Sequence, residues 1–203
     1  MKGLLLKDFY EIKATLILLI ITIVGVGTGI SYLTSPMVTT LISAIIMSHA
    51  VVGTIQTDKQ SQWNKFTVTL PATQTTLIAS KYILLTVFAV IGVFIGVVIS
   101  FLFSLKSQNF DIAMLLSNVN LGFVFAFISG SIGIPLSYIL NEDKGVIVTL
   151  ISCFVTTLAV IVLALIFGNK NMLFTTSIAN LVSIVIFIIS CRICSNIVKN
   201  KDL

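Results

Sequence analysis

The sequence has few ionisable residues, and its long apolar stretches have none in their interiors. Charged residues make up 9% of the 203 residues, whereas soluble domains carry about 25%. Ionisable groups inside a membrane are costly and usually mark ion pathways or proton relays. Their absence argues against a carrier driven by an ion gradient. The single histidine and three cysteines also offer no catalytic or metal-binding set, so no catalytic residue and no metal site is predicted.

A second absence concerns nucleotide binding. The sequence contains no Gly-x-x-x-x-Gly-Lys-Ser/Thr phosphate loop, so the chain cannot bind ATP in that way. No cofactor is therefore expected in this chain, and any work that it performs must be powered by another protein.

Six apolar stretches are each long enough to cross a bilayer, which takes about 20 residues in a helix. They predict an all-α integral membrane protein, because continuous apolar runs lack the alternation of a membrane barrel. One transmembrane domain is expected over residues 1–203, with spans at residues 14–33, 38–55, 82–105, 112–140, 146–167 and 173–191. Pro135, with Gly130 and Gly133, predicts a kink or break in the second half of the fourth span.

The basic residues lie mainly on one side of the predicted bundle. That side carries Lys2, Lys7, Lys13, Lys59, Lys65, Lys81, Lys144, Arg192, Lys199 and Lys201, and the other carries only Lys106 and Lys170. Short loops rich in lysine and arginine stay in the cytoplasm, so both termini are predicted to be cytoplasmic, in the cytoplasmic membrane. The net charge of +5 is thus a topology signal, and the scattered bases predict no nucleic-acid partner.

The longest polar connection, residues 56–81, is predicted on the cytoplasmic side. Asp58 suits the N-cap of a short helix, because a carboxylate there accepts bonds from free backbone N–H groups. Trp63, Phe66 and Leu70 are spaced three and four apart and would share one face of that helix. The aromatic residues either anchor the loop at the membrane interface or dock into a soluble partner.

Two further segments are expected on the same side. Residues 1–13 place three apolar residues at helical spacing among charged ones, which predicts an amphipathic helix on the membrane surface. These apolar residues are Leu5, Phe9 and Ile12. The alternative is a frayed, charged end. Glu142 and Asp143 belong to a short turn that is either solvated or a second partner contact.

Other signals have structural interpretations. Two pairs of glycines have the small-xxx-small spacing of close helix contacts, and we expect packing within the subunit rather than between subunits: Gly25 with Gly29, and Gly92 with Gly96. His49 is expected to be a hydrogen-bonded packing residue, and Cys153 a packed apolar one. Phe123 and Phe127 lie in a Phe-rich segment that would suit an apolar cargo, although lipid-facing Phe is commoner.

Two segments resemble a known family. Residues 1–10 resemble the start of many small permease subunits of type-2 ATP-binding-cassette exporters. So does the order of residues in the main loop: Asp58, Trp63, Phe66, Thr69, Leu70, Pro71, Ile78, Lys81 and Tyr82. The arrangement of a surface helix, six spans and a main loop after the second span agrees over the whole chain.

The resemblance implies a half-transporter. Two such membrane subunits, identical or paralogous, pair within the lipid, and each docks on a separate cytoplasmic ATPase subunit that binds ATP and magnesium. The main loop would contain a coupling helix, with ATPase contacts at Asp58, Trp63, Phe66, Leu70, Pro71 and Lys81. Relatives often carry a basic residue shortly after the Leu-Pro pair, whereas this chain has threonines and a glutamine at 73–76, so no salt bridge is expected there.

Residues and resemblance together predict an exporter permease for an apolar or amphipathic cargo, such as a peptide or a lipid-like molecule. Export is favoured because the predicted outer connections are too short to dock an external receptor. The alternative is a non-transporting membrane protein that sequesters a membrane-active peptide, as an immunity protein would. Such a protein would protect cells without any ATPase.

Overall fold

The computed structural model describes residues 2–63, 74–107, 111–141, 144–167 and 172–199. They form the helices α1 (Lys2–Leu33), α2 (Val38–Gln60), α3 (Gln74–Ser107), α4 (Ile112–Ile139), α5 (Gly145–Phe167) and α6 (Met172–Lys199). All six are long and apolar enough to cross a membrane. Because no strand occurs in these five segments, the prediction of an all-α protein with six spans is confirmed.

The helices begin and end where local chemistry favours it. Asp111 caps α4, since its Oδ1 accepts hydrogen bonds from the backbone N–H groups of Ala113 (2.9 Å) and Met114 (3.3 Å). Pro36 lies in the short turn between α1 and α2, where the missing N–H of proline costs nothing. α4 continues through Pro135 to Ile139, so the predicted break in this helix does not occur.

The backbone carbonyl left free by Pro135 finds a partner on another helix. Proline has no N–H, so the carbonyl of Ser131, four residues earlier, loses its usual helical donor. Ser190 of α6 donates its hydroxyl to this carbonyl at 2.6 Å. The Ser190 hydroxyl also pairs with the Tyr82 hydroxyl of α3 at 2.8 Å. The carbonyl that Pro135 leaves free is thus part of a hydrogen-bonded contact among α3, α4 and α6.

α2 occupies the centre of the bundle and packs most closely against α3 and α4. Gly92 allows the contact with α3, since a Cβ there would lie 2.7 Å from the Ser43 carbonyl oxygen. The Gly92 and Gly96 prediction of packing within the subunit is therefore confirmed. The same prediction is wrong for Gly25 and Gly29, because a Cβ on either would meet no atom within 4 Å.

Several helices are longer than predicted, and the separate surface helix is not present. Residues 2–13 form the first turns of α1, and Ile12 is buried, Leu5 packs against the core and the Phe9 ring lies 6.2 Å from that of Phe88. This face contacts the bundle. Asp58 lies inside α2, so its predicted role as an N-cap is wrong.

The first residues of α1, α3 and α5 meet the last residues of α2, α4 and α6 at one end of the bundle. We call this end the basic end, because Lys7, Lys59, Lys81, Lys144 and Arg192 lie there. Charged side chains of α1, α2 and α3 pair across these helices at the basic end, where α2 and α3 extend beyond their apolar stretches.

Candidate functional site at the basic end

A buried ionic cluster joins α1, α2 and α3. Its central cation is Lys81 of α3, whose ammonium group lies 2.9 Å from Asp8 Oδ1, 2.6 Å from Asp58 Oδ2 and 3.1 Å from Thr54 Oγ1. Asp8, Lys81 and Asp58 are only 2%, 5% and 7% exposed. Buried charges are retained in proteins when they are paired and hydrogen-bonded, and this group satisfies both conditions.

Lys7 of α1 provides a second cation at the edge of the cluster. It pairs with Asp58, and its ammonium lies 3.4 Å from Asp8 and 3.5 Å from Glu11. The same ammonium lies 4.8 Å from the centre of the Trp63 ring, within the range of a cation–π contact. Three carboxylates thus face two ammonium groups in this part of the chain.

The three carboxylates could supply ligands to a cation, because one oxygen each from Asp8, Glu11 and Asp58 lies within 4.8 Å of the others. The ammonium groups of Lys81 and Lys7, however, already contact these carboxylates. We therefore assign the cluster as an ion-pair network that holds three helix ends together.

A cavity of about 50 Å³ lies beside the cluster. Its lining includes Asp8, Asp58 and Lys81 together with Trp63 and Tyr138. A space of this size between charged groups is large enough for water. The cluster can therefore be hydrated from one side while its ion pairs stay buried.

Two more side chains of α2 reach the turn between α4 and α5. The Gln56 amide donates to the Gly145 carbonyl at 2.9 Å, and the Lys59 ammonium donates to the Leu140 carbonyl at 2.6 Å. Leu140 closes the C-terminus of α4. Carbonyls at a helix C-terminus lack intrahelical donors and favour a cation, which explains the position of Lys59.

A family comparison adds to this geometry. Residues 3–199 match the family described as ABC-2 family transporter protein. The chain belongs to the ABC-2 transporter family. The match covers nearly the whole chain and confirms the resemblance to type-2 ATP-binding-cassette permeases. Neither the comparison with curated proteins nor the comparison with solved structures finds a match.

Family membership makes the chain the membrane component of an ABC transporter. It also implies a partner, the ATP-binding-cassette ATPase that powers such permeases. In this permease the basic end includes both flanks of the loop between α2 and α3, which is the loop predicted to meet that ATPase.

The structure brings together only some of the predicted ATPase contacts. Asp58 and Lys81 are buried in the ionic cluster, and Trp63 is half-buried against Lys7. The remaining predicted contacts lie outside the described residues: Phe66, Leu70, Pro71, Glu142 and Asp143.

Sequence reasoning missed the pairing partners at the basic end. It did not single out Lys7, Asp8 and Glu11 as members of a cluster, nor Gln56 and Lys59 as contacts to the α4–α5 turn. The sequence did contain a signal for this pairing, because acidic and basic residues flank neighbouring spans on the same predicted side. Such charges can pair when the helix ends meet.

The structure also locates the residues that were predicted to pack inside the bundle or to contact cargo. His49 is hydrogen-bonded as expected, with Nδ1 2.9 Å from the Ile45 carbonyl and Nε2 3.1 Å from Cys153 Sγ. Cys153 itself is exposed rather than packed. The ring centroids of Phe123 and Phe127 are 5.9 Å apart. Phe127 belongs to the main core, and Phe123 is partly buried and packs against it.

Proposed function

We propose that this permease exports an apolar or amphipathic cargo, a peptide or a lipid-like molecule, across the cytoplasmic membrane. It would act as one of two paired membrane subunits, each docked on its own ATPase at the basic end. The observation that carries the proposal is the buried ionic cluster of Lys7, Asp8, Asp58 and Lys81. It fixes both flanks of the α2–α3 loop to α1, so that a push on the loop reaches the bundle.

The cargo class is supported by the distribution of charge. Residues 14–57 and 82–105, which contain most of α1, α2 and α3, have no Asp, Glu, Lys or Arg. A path along these helices therefore offers no charged group to replace the water shell of an ionic cargo. Apolar and amphipathic molecules do not require such groups.

The energy for transport would come from the ATPase. ATP binding would draw the two ATPase subunits together and move the coupling loops. A bound ligand shifts a conformational equilibrium by its differential affinity for the two states. The permease would thereby change between states with different affinities for the cargo.

We place the ATPase contact on the loop residues Trp63, Phe66, Leu70 and Pro71, with Glu142 and Asp143 as a second contact. Large aromatic residues carry much of the binding energy of protein interfaces, which supports Trp63 and Phe66 as anchors. Asp58 and Lys81 would hold the flanks of the loop in position, since they are buried against each other.

The experiment is co-purification of the tagged permease with its ATPase from the native membrane in mild detergent. Trp63→Ala and Phe66→Ala are each expected to weaken the complex about tenfold or more, as loss of an interface anchor does. Gln60→Ala, an exposed neighbour at the end of α2, serves as the control.

Trp63 also contacts Lys7, so its loss could destabilise the permease itself. Measuring the thermal stability of each variant distinguishes a docking defect from a folding defect. Unchanged co-purification of both aromatic variants would contradict the assigned contact. A wild-type chain that purifies without an ATPase and still protects cells from a membrane-active peptide would instead support the sequestering role.

A further inference from the structure

The last turns of α2 before the coupling loop contact two neighbouring helices through one carboxylate. Asp58 pairs with Lys7 of α1 and with Lys81 of α3, and Lys81 also pairs with Asp8 of α1. Removing one partner of a buried pair leaves an uncompensated charge and is strongly destabilising. At the point where the loop begins, α2 is therefore fixed to α1 and α3.

The same part of α2 also holds two other helices. Gln56 reaches the first residue of α5, Gly145, and Lys59 reaches Leu140 at the end of α4. These contacts are specific hydrogen bonds of 2.9 and 2.6 Å rather than general packing. The turn between α4 and α5 is thus attached to α2 by two side chains.

One residue within this segment has a different role. Thr57 is exposed, and its hydroxyl donates to the carbonyl of Gly53 in its own helix. Side chains from 56, 58 and 59 therefore link α2 to its neighbours, whereas position 57 offers a matched control in the same helical turn.

We infer that residues 56–59 of α2 form a junction that distributes movement of the coupling loop from α2 to four neighbouring helices at once. This inference rests on the proposed function, because it requires an ATPase that moves the loop. A displacement reaches α1 and α3 through Asp58, and it reaches α4 and α5 through Lys59 and Gln56. Gln56 and Lys59 are positioning residues, which act by making α4 and α5 follow α2.

The test uses the complete permease–ATPase complex in lipid vesicles. The three native cysteines are replaced by alanine, and the substitution Val146→Cys, at an exposed position at the start of α5, carries an environment-sensitive fluorophore. The double variant Gln56→Ala/Lys59→Met is compared with Thr57→Ala. In a parallel set the fluorophore is attached through Lys13→Cys, at an exposed position on α1.

We expect ATPase binding and ATP hydrolysis to stay near the Thr57→Ala level in the double variant. The ATP-dependent fluorescence change at Val146 should fall roughly fivefold, because the hydrogen bonds to α4 and α5 are lost. The change at Lys13 should persist, since the Asp58 ion pairs are intact. Lys59→Arg alone, which keeps a cation near Leu140, should retain most of the Val146 response.

Two results would overturn the inference. One is a double variant whose Val146 response equals that of Thr57→Ala. The other is a response lost equally at Val146 and Lys13, which would indicate a general defect rather than a branch to α4 and α5. An ATPase that fails to co-purify with the wild-type permease would overturn the proposed function itself, and the inference with it.

Discussion

At the scale of single residues, Lys81 determines whether the ionic cluster is balanced. It is the central cation between Asp8 and Asp58, so Lys81→Met leaves three carboxylates facing the single ammonium of Lys7. We expect this variant to lose about 3–5 kcal/mol of stability. Asp58→Asn should cost less stability, because both ammonium groups retain carboxylate partners. Lys81 still pairs with Asp8, and Lys7 still lies near Asp8 and Glu11. The midpoint of thermal unfolding in detergent measures both.

The double variant Lys81→Met/Asp58→Asn provides the control for this interpretation. It restores the wild-type difference of one between carboxylates and ammonium groups, so it should melt above Lys81→Met alone. Such non-additivity is expected for residues in one network. If the two substitutions simply add, or if Asp58→Asn is the more harmful single change, the charge-balance argument is wrong.

At the scale of helices, substitution of glycines can show where two helices pack closely and where a helix surface is open. Gly92→Ala should destabilise the α2–α3 contact by about 1–3 kcal/mol, because the new Cβ would lie 2.7 Å from the backbone oxygen of Ser43. Gly25→Ala is the matched change on α1, where a Cβ meets nothing within 4 Å. It should be neutral or slightly stabilising. Equal unfolding midpoints for the two variants would contradict the packing described here.

The helices themselves were largely predictable, because a long apolar run in a membrane can satisfy its backbone only as a helix. The spans therefore agree with the structure to within a few residues at most of their ends on the side opposite the basic end. At the basic end, the start of α1, the end of α2, the start of α3 and the end of α6 were not predicted, whereas the end of α4 and the start of α5 lie within one residue of the predicted bounds. There the apolar pattern stops at Ile55 and resumes near Tyr82, yet α2 continues to Gln60 and α3 begins at Gln74.

The candidate site was less predictable than the fold for a related reason. The residues Asp58, Trp63 and Lys81 were singled out from the loop pattern, but the burial of Asp58 and Lys81 depends on Asp8, which lies 50 residues from Asp58 along the chain. Which turn of one helix faces which turn of another depends on packing at residues such as Gly92. A single sequence does not encode that register in any local pattern.

At the scale of the whole molecule, the distribution of apolar surface is that of a membrane protein. Large apolar side chains are exposed along α1, α5 and α6, for example Ile17, Leu150 and Leu181, at 73%, 64% and 66% exposure. In water such surface would be unfavourable, whereas lipid or a second subunit can cover it. The paired charges stay at one end, outside the apolar band.

The concentration of charged residues at one end predicts the orientation of the chain in the membrane. Ten of the twelve basic residues are predicted on the side of the basic end, so that end, with both termini, should face the cytoplasm. In a background without native cysteines, Thr34→Cys and Asn141→Cys place thiols at exposed positions at opposite ends of the bundle. A membrane-impermeant maleimide added to intact cells should label position 34 and not position 141. Both should react after the membrane is opened, which controls for reactivity. Labelling of position 141 alone in intact cells would invert the topology and place the α2–α3 loop outside, where no cytoplasmic ATPase could reach it.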